Sequence, residues 1–380
     1  MAVRPLSRPV EIYKHPLHKY VDAVRWLPPI SALDRHAVLA LFDSDCGSSS
    51  VEIHSFLNPK TDASSTSAML TALTTWNPPS RVSSLKTTLI GHRPFIAVST
   101  ADGSVYLVSA HDAHTLVEIG AVHEVHACPV SCIDLLEGGS ECVSVGEDGK
   151  VNLVSFGSST VTNTLFFDSN GLVSYSAAKW ASPNEFATGG LDFGLQWWDR
   201  RKPGSPVSQF KCNWAQGRAS GIIHSIDIHP SRKHTCLAGG SLGTIFAWDL
   251  RWQHEPIIFS ESRIGVGSKH SVSESEVWEV QCVCDGRSTS TSNFSSSSRM
   301  LPIMMCSEDG ILAVLEQGMN LLVISDSQMS SSRNVFHFWF YIFFRKLMAV
   351  FAFPIYSCKR TENTSSVNSQ FRPKVCSCLQ

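Results

Sequence analysis

The sequence is poor in charge. Only 17% of its 380 residues are Asp, Glu, Lys or Arg, against about a quarter in ordinary soluble domains. What charge there is nearly cancels: 31 basic and 33 acidic residues leave −2. Neutralising a phosphate backbone takes a basic excess, so direct nucleic-acid binding is not expected. Cysteine is sparse too. Twelve cysteines fall far below the density of a disulfide scaffold. The opening MAVRPLSRPVEIYKHPLHKY has no apolar run of the secretory kind. Reduced thiols in cytosol or nucleus are therefore expected, and the sequons at Asn293 and Asn363 lose their meaning. Catalytic motifs are lacking as well. IGVGSK at residues 264–269 misses the Walker spacing and has no strand–loop–helix context, so it reads as a flexible connection between blades. There is no G-x-S-x-G elbow. An enzyme has no positive support, and no cofactor is expected.

What the chain does have is apolar residues, 43% of the total, and an internal repeat. A β-run, a tight turn and a second β-run recur. The copies are FIAVSTADGSVYLV around Asp102, ECVSVGEDGKVNLV around Asp148 and EFATGGLDFGLQWWD around Asp192. They continue with TCLAGGSLGTIFAWD around Leu242 and MMCSEDGILAVL around Asp309, and a looser copy lies near Asp45. Asp-Gly between alternating runs signals a two-residue hairpin, because that turn needs positive φ at its centre. The turns lie about 45–50 residues apart mid-chain, the period of a four-stranded propeller blade. A Ser-rich insertion, GRSTSTSNFSSSS at 286–298, lengthens the last step. In the clearest repeat the four strands are expected at 225–229, 235–239, 244–250 and 256–260. An isolated four-stranded sheet leaves both faces wet, so the blades are expected to close into one all-β ring.

Trp198-Asp199 and Trp248-Asp249 end the third strand of two successive copies. On these residues the chain, over 20–318, resembles the WD-repeat family of β-propellers. That resemblance implies seven blades, the last completed by an N-terminal strand, although only six are recognisable here. It also implies a hydrogen-bonded tetrad of Trp, Ser or Thr, Asp and His in each blade. The tetrads are incomplete. Thr188, Asp192 and Trp198 fit one blade without a His. His126, Ser144 and Asp148 fit another, with Val154 in place of Trp. Beside Trp248, Ala238 and Leu242 occupy the polar positions.

Longer phrases carry a narrower resemblance. They include SEVWEVQCVCDG, with Trp278, Glu279 and Val280, and its spacing to Cys306-Ser307-Glu308-Asp309-Gly310. These look like the small WD-repeat nucleoporins of the Y-shaped outer-ring complex. The resemblance implies a non-enzymatic scaffold subunit of the nuclear pore at the nuclear envelope. It would contact other nucleoporins, among them a helical-solenoid subunit, and support transport of protein and messenger RNA.

Other features compete for attention. His111, His114, His123 and His126 form two H-x-x-H pairs, but the strand near 115–120 places them at opposite ends of a blade, too far apart for one metal ion. Cys282 and Cys284 share a strand face and read as core thiols. Trp198-Asp199-Arg200-Arg201 and Trp248-Asp249-Leu250-Arg251 fit W-D-x-R, a motif by which WD-repeat receptors of cullin-4 ubiquitin ligases dock their adaptor. Arg201 and Arg251 are the docking residues on that alternative, and exposed arginines after a strand on the plain one. Residues 1–19 read as an N-terminal extension and 319–380 as an irregular, aberrant tail. Its segment 335–353, VFHFWFYIFFRKLMAVFAF, approaches membrane-spanning length but carries Arg345 and Lys346 at its centre. A tail anchor and a degenerate last blade are the alternatives, and membrane insertion is not favoured.

Overall fold

A computed structural model describes residues 12–15, 17–29, 35–57, 69–138, 141–157, 161–191, 194–210, 221–251, 257–258, 262–264, 268–270, 273, 275–282, 303–309, 311–315, 321–324 and 376–379. The Ser-rich insertion, Asp192, Cys284 and the segment 335–353 lie outside the described residues.

The strands sort into six antiparallel sheets of four. After β1 (Ile12–His15), blade 1 is β2 (Tyr20–Trp26), β3 (His36–Asp43), β4 (Ser48–Leu57) and β5 (Met69–Trp76). Blade 2 is β6 (Val82–Ile90), β7 (Arg93–Thr100), β8 (Val105–Asp112) and β9 (Thr115–Val122). Blade 3 is β10 (Val130–Leu135), β11 (Glu141–Gly146), β12 (Lys150–Phe156) and β13 (Val161–Asp168). Blade 4 is β14 (Tyr175–Ser182), β15 (Glu185–Gly190), β16 (Leu195–Asp199) and β17 (Ser208–Phe210). Blade 5 is β18 (Ile223–Ile228), β19 (Thr235–Gly240), β20 (Ile245–Asp249) and β21 (Ile257–Ile258). A small hairpin, β22 (Ser262–Ile264) and β23 (Ser268–His270), precedes blade 6: β24 (Val277–Cys282), β25 (Ile303–Ser307), β26 (Leu312–Leu315) and β27 (Leu321–Ile324). The last strand is β28 (Cys376–Leu379).

The first strand of each blade lines the ring and the fourth lies outermost. Period-two alternation gives the second and third strands two buried faces, as in β11, β12, β15 and β16, whereas the outer strands β9 and β13 are largely exposed. Val38 and Ile53 of blade 1 meet Leu85 and Val98 of blade 2. Val105 and Leu107 then meet Ile133 and Val154. Val143 and Val151 meet Phe186 and Trp198. Trp197 and Ile223 share the next seam with Trp248, and Leu237 and Ile245 pack on Val277 and Val280. Trp197 and Trp198 thus serve opposite seams of blade 4, as their adjacency requires. Each fully buried large side chain contributes roughly 1.5–3 kcal/mol, so the seams carry most of the ring's stability.

Several expectations need correction. The Asp-Gly turns are not two-residue turns: residues 101–104 separate β7 from β8 and residues 147–149 separate β11 from β12, with positive φ at Gly103 and Gly149 alone, and the turn centred on Leu242 is a short 3-10 helix, Ser241–Gly243. On either side of residues 265–267 of the connection between blades, Ser262–Ile264 and Ser268–His270 pair as the β22–β23 hairpin. The outer strand of blade 6, Leu321–Ile324, lies beyond residue 318 and pairs fully with β26. In addition, the N-terminal strand joins β28 in a two-stranded parallel sheet, not as the fourth strand of a blade.

One feature recurs in every blade. The pairing of first and second strands shifts by one residue, at Val21/Ala23, Val82/Ser84, Val130/Cys132, Tyr175/Ala177, Ile223/Ser225 and Val277/Glu279. Such a bulge bends and twists the strand locally. It also puts all six inner strands in one common register.

Candidate functional site

The turns between second and third strands lie on one face of the ring, with the segments that enter each blade. Blade 3 carries the fullest polar network there. His126 Nδ1 lies 2.9 Å from Asp148 Oδ1, and its Nε2 lies 2.8 Å from Ser144 Oγ. Asp148 also accepts from the backbone N–H groups of Ala127 and Lys150. Burial pushes the His126 imidazole below its ordinary value. Burial works against ionisation of Asp148 too, but the His126 and backbone hydrogen bonds prevail and hold its carboxyl low. The imidazole is therefore neutral, with Nδ1–H donating to the carboxylate and Nε2 accepting from Ser144. Asn152 Nδ2, donating to Val125 O at 3.1 Å, lies 3.4 Å from that Nε2.

Ser144, His126 and Asp148 have the connectivity of a nucleophile–base–carboxylate triad. Exposure decides against that chemistry. Ser144 is 0% exposed and His126 2%, so no carbonyl can approach the hydroxyl along the required path. The network instead ties the segment entering blade 3 to that blade's own turn.

In blade 4, Trp198 Nε1 donates to Thr188 Oγ1 at 2.9 Å, as the tetrad pattern requires. The Tyr175 hydroxyl donates to Gln196 Oε1 at 2.9 Å. Trp248 in blade 5 is equally buried, yet its Nε1 has no partner among the described residues. Ala238 stands where Thr188 stands in blade 4, ten residues before the indole in both. In blade 6, Asp309 accepts from Ser307 Oγ and, at 3.0 Å, from Ser273 Oγ. Ser273, 2% exposed, fills the place of the entering histidine. Sequence reading missed Ser273 and Asn152. A serine in a Ser-rich stretch gives no signal, and Asn152 is revealed only by its register opposite Ser144. Trp278 packs its ring on His224, with centroids 4.3 Å apart.

The opposite face carries the W-D-x-R residues. Arg201 grips its own Asp199 through Nε at 2.8 Å and Nη2 at 2.8 Å. The hydrogen bond from Arg201 holds the Asp199 carboxyl at about 2. Arg251 holds Asp249 the same way, at 3.0 and 2.7 Å. Both guanidinium groups are exposed but folded back on the turn. The neighbouring Arg200, at the variable position of the motif, makes a bidentate pair with Glu141 of blade 3. His111 and His114 lie at the far end of β9 from His123 and His126. Among the described residues no group of three or more His, Cys, Asp or Glu is placed to hold a metal ion.

The common register reveals a second constellation, around the inner wall. Three residues beyond the extra residue of the bulge stand Arg25, Lys86, Asp134, Lys179, Asp227 and Gln281, one per blade. Lys86 Nζ lies 3.7 Å from Asp134 Oδ1, Lys179 Nζ 3.6 Å from the same oxygen, and Lys179 Nζ 3.7 Å from Asp227 Oδ1. Each carboxylate also accepts a backbone N–H from the next blade: Asp134 from Trp180 and Asp227 from Cys282. Blades 2 to 5 are thus linked by alternating charge. The buried networks at the turns and the paired charges at the wall tie successive blades to one another.

Comparison with known proteins decides the family. The chain is 49% identical over 327 residues to the nuclear pore complex protein NUP43 of Arabidopsis thaliana, covering 81% of this chain and 86% of that protein. The chain belongs to the Nup43 family. Human Nup43 is 26% identical over 181 residues, covering 48% of this chain and 40% of the human protein. Mouse Nup43 is 27% identical over 149 residues. No protein-family model matches the chain. Among solved structures, Sqt1 of Chaetomium thermophilum aligns over 82% of this chain and 85% of its own, with TM-score 0.54 and 14% identity. A second Sqt1 structure, bound to the N-terminus of ribosomal protein L10, gives TM-score 0.55. At that identity the likeness bears on the fold alone, and it places this member of the Nup43 family on a WD-repeat propeller.

Proposed function

We propose that this chain is a non-enzymatic scaffold subunit of the nuclear pore complex, residing at the nuclear envelope within the Y-shaped outer-ring assembly. The observation that carries the reading is the 49% identity to Arabidopsis NUP43 across most of both chains. The physics of the ring supports it. The buried Ser144–His126–Asp148 connection is inaccessible to substrate, and rigid blades presenting loops suit protein binding. Its partners are other nucleoporins, with a helical-solenoid subunit as the direct neighbour, and its role is to support transport of protein and messenger RNA without binding cargo. The ligase-receptor alternative gains nothing from Arg201 and Arg251, whose guanidinium groups are engaged with Asp199 and Asp249. Affinity purification of the tagged full chain, with imaging of its location, tests the proposal. A nuclear-rim signal and co-purified outer-ring nucleoporins are expected. A diffuse signal with a cullin-4 adaptor as the main partner, lost in Arg201→Ala or Arg251→Ala, would overturn it.

A further inference from the structure

Two leucines are exposed together on the face that carries the turns between second and third strands. Leu172 is 87% exposed, more than any other large hydrophobic among the described residues, and Leu191 is 41% exposed. Leu172 belongs to the turn entering blade 4, where Asn170 and Gly171 take positive φ of 53° and 74°. Leu172 N–H donates to Ser169 O at 3.1 Å, and Ser169 N–H donates to Gly149 O at 3.0 Å. Ser169 Oγ accepts from Val173 N–H at 3.2 Å. The turn is thus anchored on blade 3 with its leucine held in water. Leu191 follows β15, and its N–H donates to Ser174 O at 3.0 Å, which joins the two leucine-bearing turns. The half-buried Ile222 bridges Leu191 from the entry to blade 5.

The surroundings of this apolar pair are acidic. Glu147 and Asp148 precede Gly149, and Asp168 precedes Ser169. Farther along the same face, Asp45, Asp102, Glu124 and Asp309 are exposed. Among the described residues of these turns and entries, the Lys and Arg side chains are Lys19, Arg81 and Lys150. Lys19 is paired with Glu52 at 3.0 Å and Arg81 with Asp22 at 2.6 Å. The opposite face has the reverse sign, with Arg201, Lys202, Arg232 and Lys233 exposed. We propose that the face centred on Leu172 and Leu191 docks a basic segment of a partner protein that carries apolar side chains of its own. Apolar anchors at the centre of a charged rim are the anatomy of an interface, and a rim of one sign attracts the opposite charge and repels its own. This deepens the scaffold reading, on which the partner's being a nucleoporin rests, by assigning the docking face and the chemistry of the contact.

Fluorescence anisotropy with the full chain and labelled synthetic peptides tests the docking face. The probe is a peptide of about 16 residues with lysines and two leucines. One control replaces its leucines by serine and the other its lysines by glutamate. The probe is expected to bind with a Kd of about 10–100 µM, about tenfold tighter than either control. Leu172→Ser, at a position too exposed to serve the core, and Leu191→Ser are each expected to weaken binding about fivefold. Glu147→Lys is expected to weaken it about threefold, and raising salt from about 0.05 to 0.3 M about tenfold. Lys202→Glu, on the opposite face, is expected to leave it unchanged. The proposal is overturned if the probe does not bind, if the serine control binds equally well, or if Leu172→Ser binds like wild type. Self-association of the chain that Leu172→Ser abolishes, with no peptide bound, would assign the face to a second copy and overturn it too. In cells, the double variant Leu172→Ser with Leu191→Ser is expected to lose the nucleoporins that co-purify with wild type. Their full retention overturns the docking face and leaves the scaffold reading standing. Their absence from wild type itself strikes the scaffold reading, while the peptide assay still decides the face.

Discussion

Trp248 offers a test of the tetrad logic by repair instead of damage. Its indole is 1% exposed and its N–H has no partner among the described residues, whereas the equivalent Trp198 donates to Thr188 at 2.9 Å. Pairing registers are the same in the two blades, Phe186 with Trp198 and Cys236 with Trp248. A hydroxyl at position 238 therefore falls where Thr188 Oγ1 falls. Ala238→Ser adds one heavy atom at a fully buried position, which keeps overpacking small. A buried donor left unmade costs about 1–3 kcal/mol, and a net hydrogen bond contributes about 0.5–1.5 kcal/mol. The substitution is expected to stabilise by about 1 kcal/mol. Urea unfolding of Ala238→Ser, Trp248→Phe and the double variant isolates the term as a coupling energy. The coupling is expected at about 0.5–1.5 kcal/mol, with no gain from Ala238→Ser when Phe occupies 248. Equal gains with Trp and with Phe would show that the hydroxyl never finds the indole, and would sink the assignment of blade 5 to the tetrad pattern.

Two further outcomes follow from the buried networks. Trp198→Ala empties a site lined by Phe166, Phe167 and Phe186 and strands Thr188. It is expected to cost about 3–5 kcal/mol, and an unchanged denaturation midpoint would refute the seam packing of blade 4. The pH dependence has a defined sign. Burial pushes the His126 imidazole below its ordinary value of 6.5, so the unfolded chain takes up its proton first. Stability from this group is complete above about 6.5 and is lost as pH falls below that value. Glu52, held at about 2 chiefly by its hydrogen bond from His54, adds a second loss that begins only below the ordinary carboxyl value of 4.5 and is complete near 2. Unfolding midpoints measured from pH 8 to 3 should fall in that order, and His126→Gln should shrink the first step, to which His229, also held low by burial, contributes the remainder. A profile flat through 6.5 in the wild type would contradict the neutral buried imidazole.

Much of this molecule is determined by sequence alone, because much of it is local. Strand alternation, the Asp-Gly turns at Asp102 and Asp148, the 45–50 residue period and the Trp-Asp endings of β16 and β20 act within one hairpin or one blade. They set the all-β class, the six blades and the partial tetrads around Trp198 and His126. The orphaned indole of Trp248 was legible too, since Ala238 sits at a fixed offset from it. The tertiary structure decided what depends on residues far apart in the chain. The inner-strand bulge moves the register by one residue in every blade, and no residue type marks it: Asp22, Ser83, Ser131, Ser176, His224 and Trp278 occupy the extra position. Only that shift brings Lys86, Asp134, Lys179 and Asp227 into line, four ordinary surface-type residues in the sequence. Ser273 replaces a histidine because Asp309 comes within 3.0 Å of it, a distance set by how β24 enters blade 6. Arg201 and Arg251 read as open docking groups until the turn geometry folded them onto Asp199 and Asp249. Period and turn chemistry are encoded residue by residue, whereas charge pairing across blades exists only once the ring has set the distances.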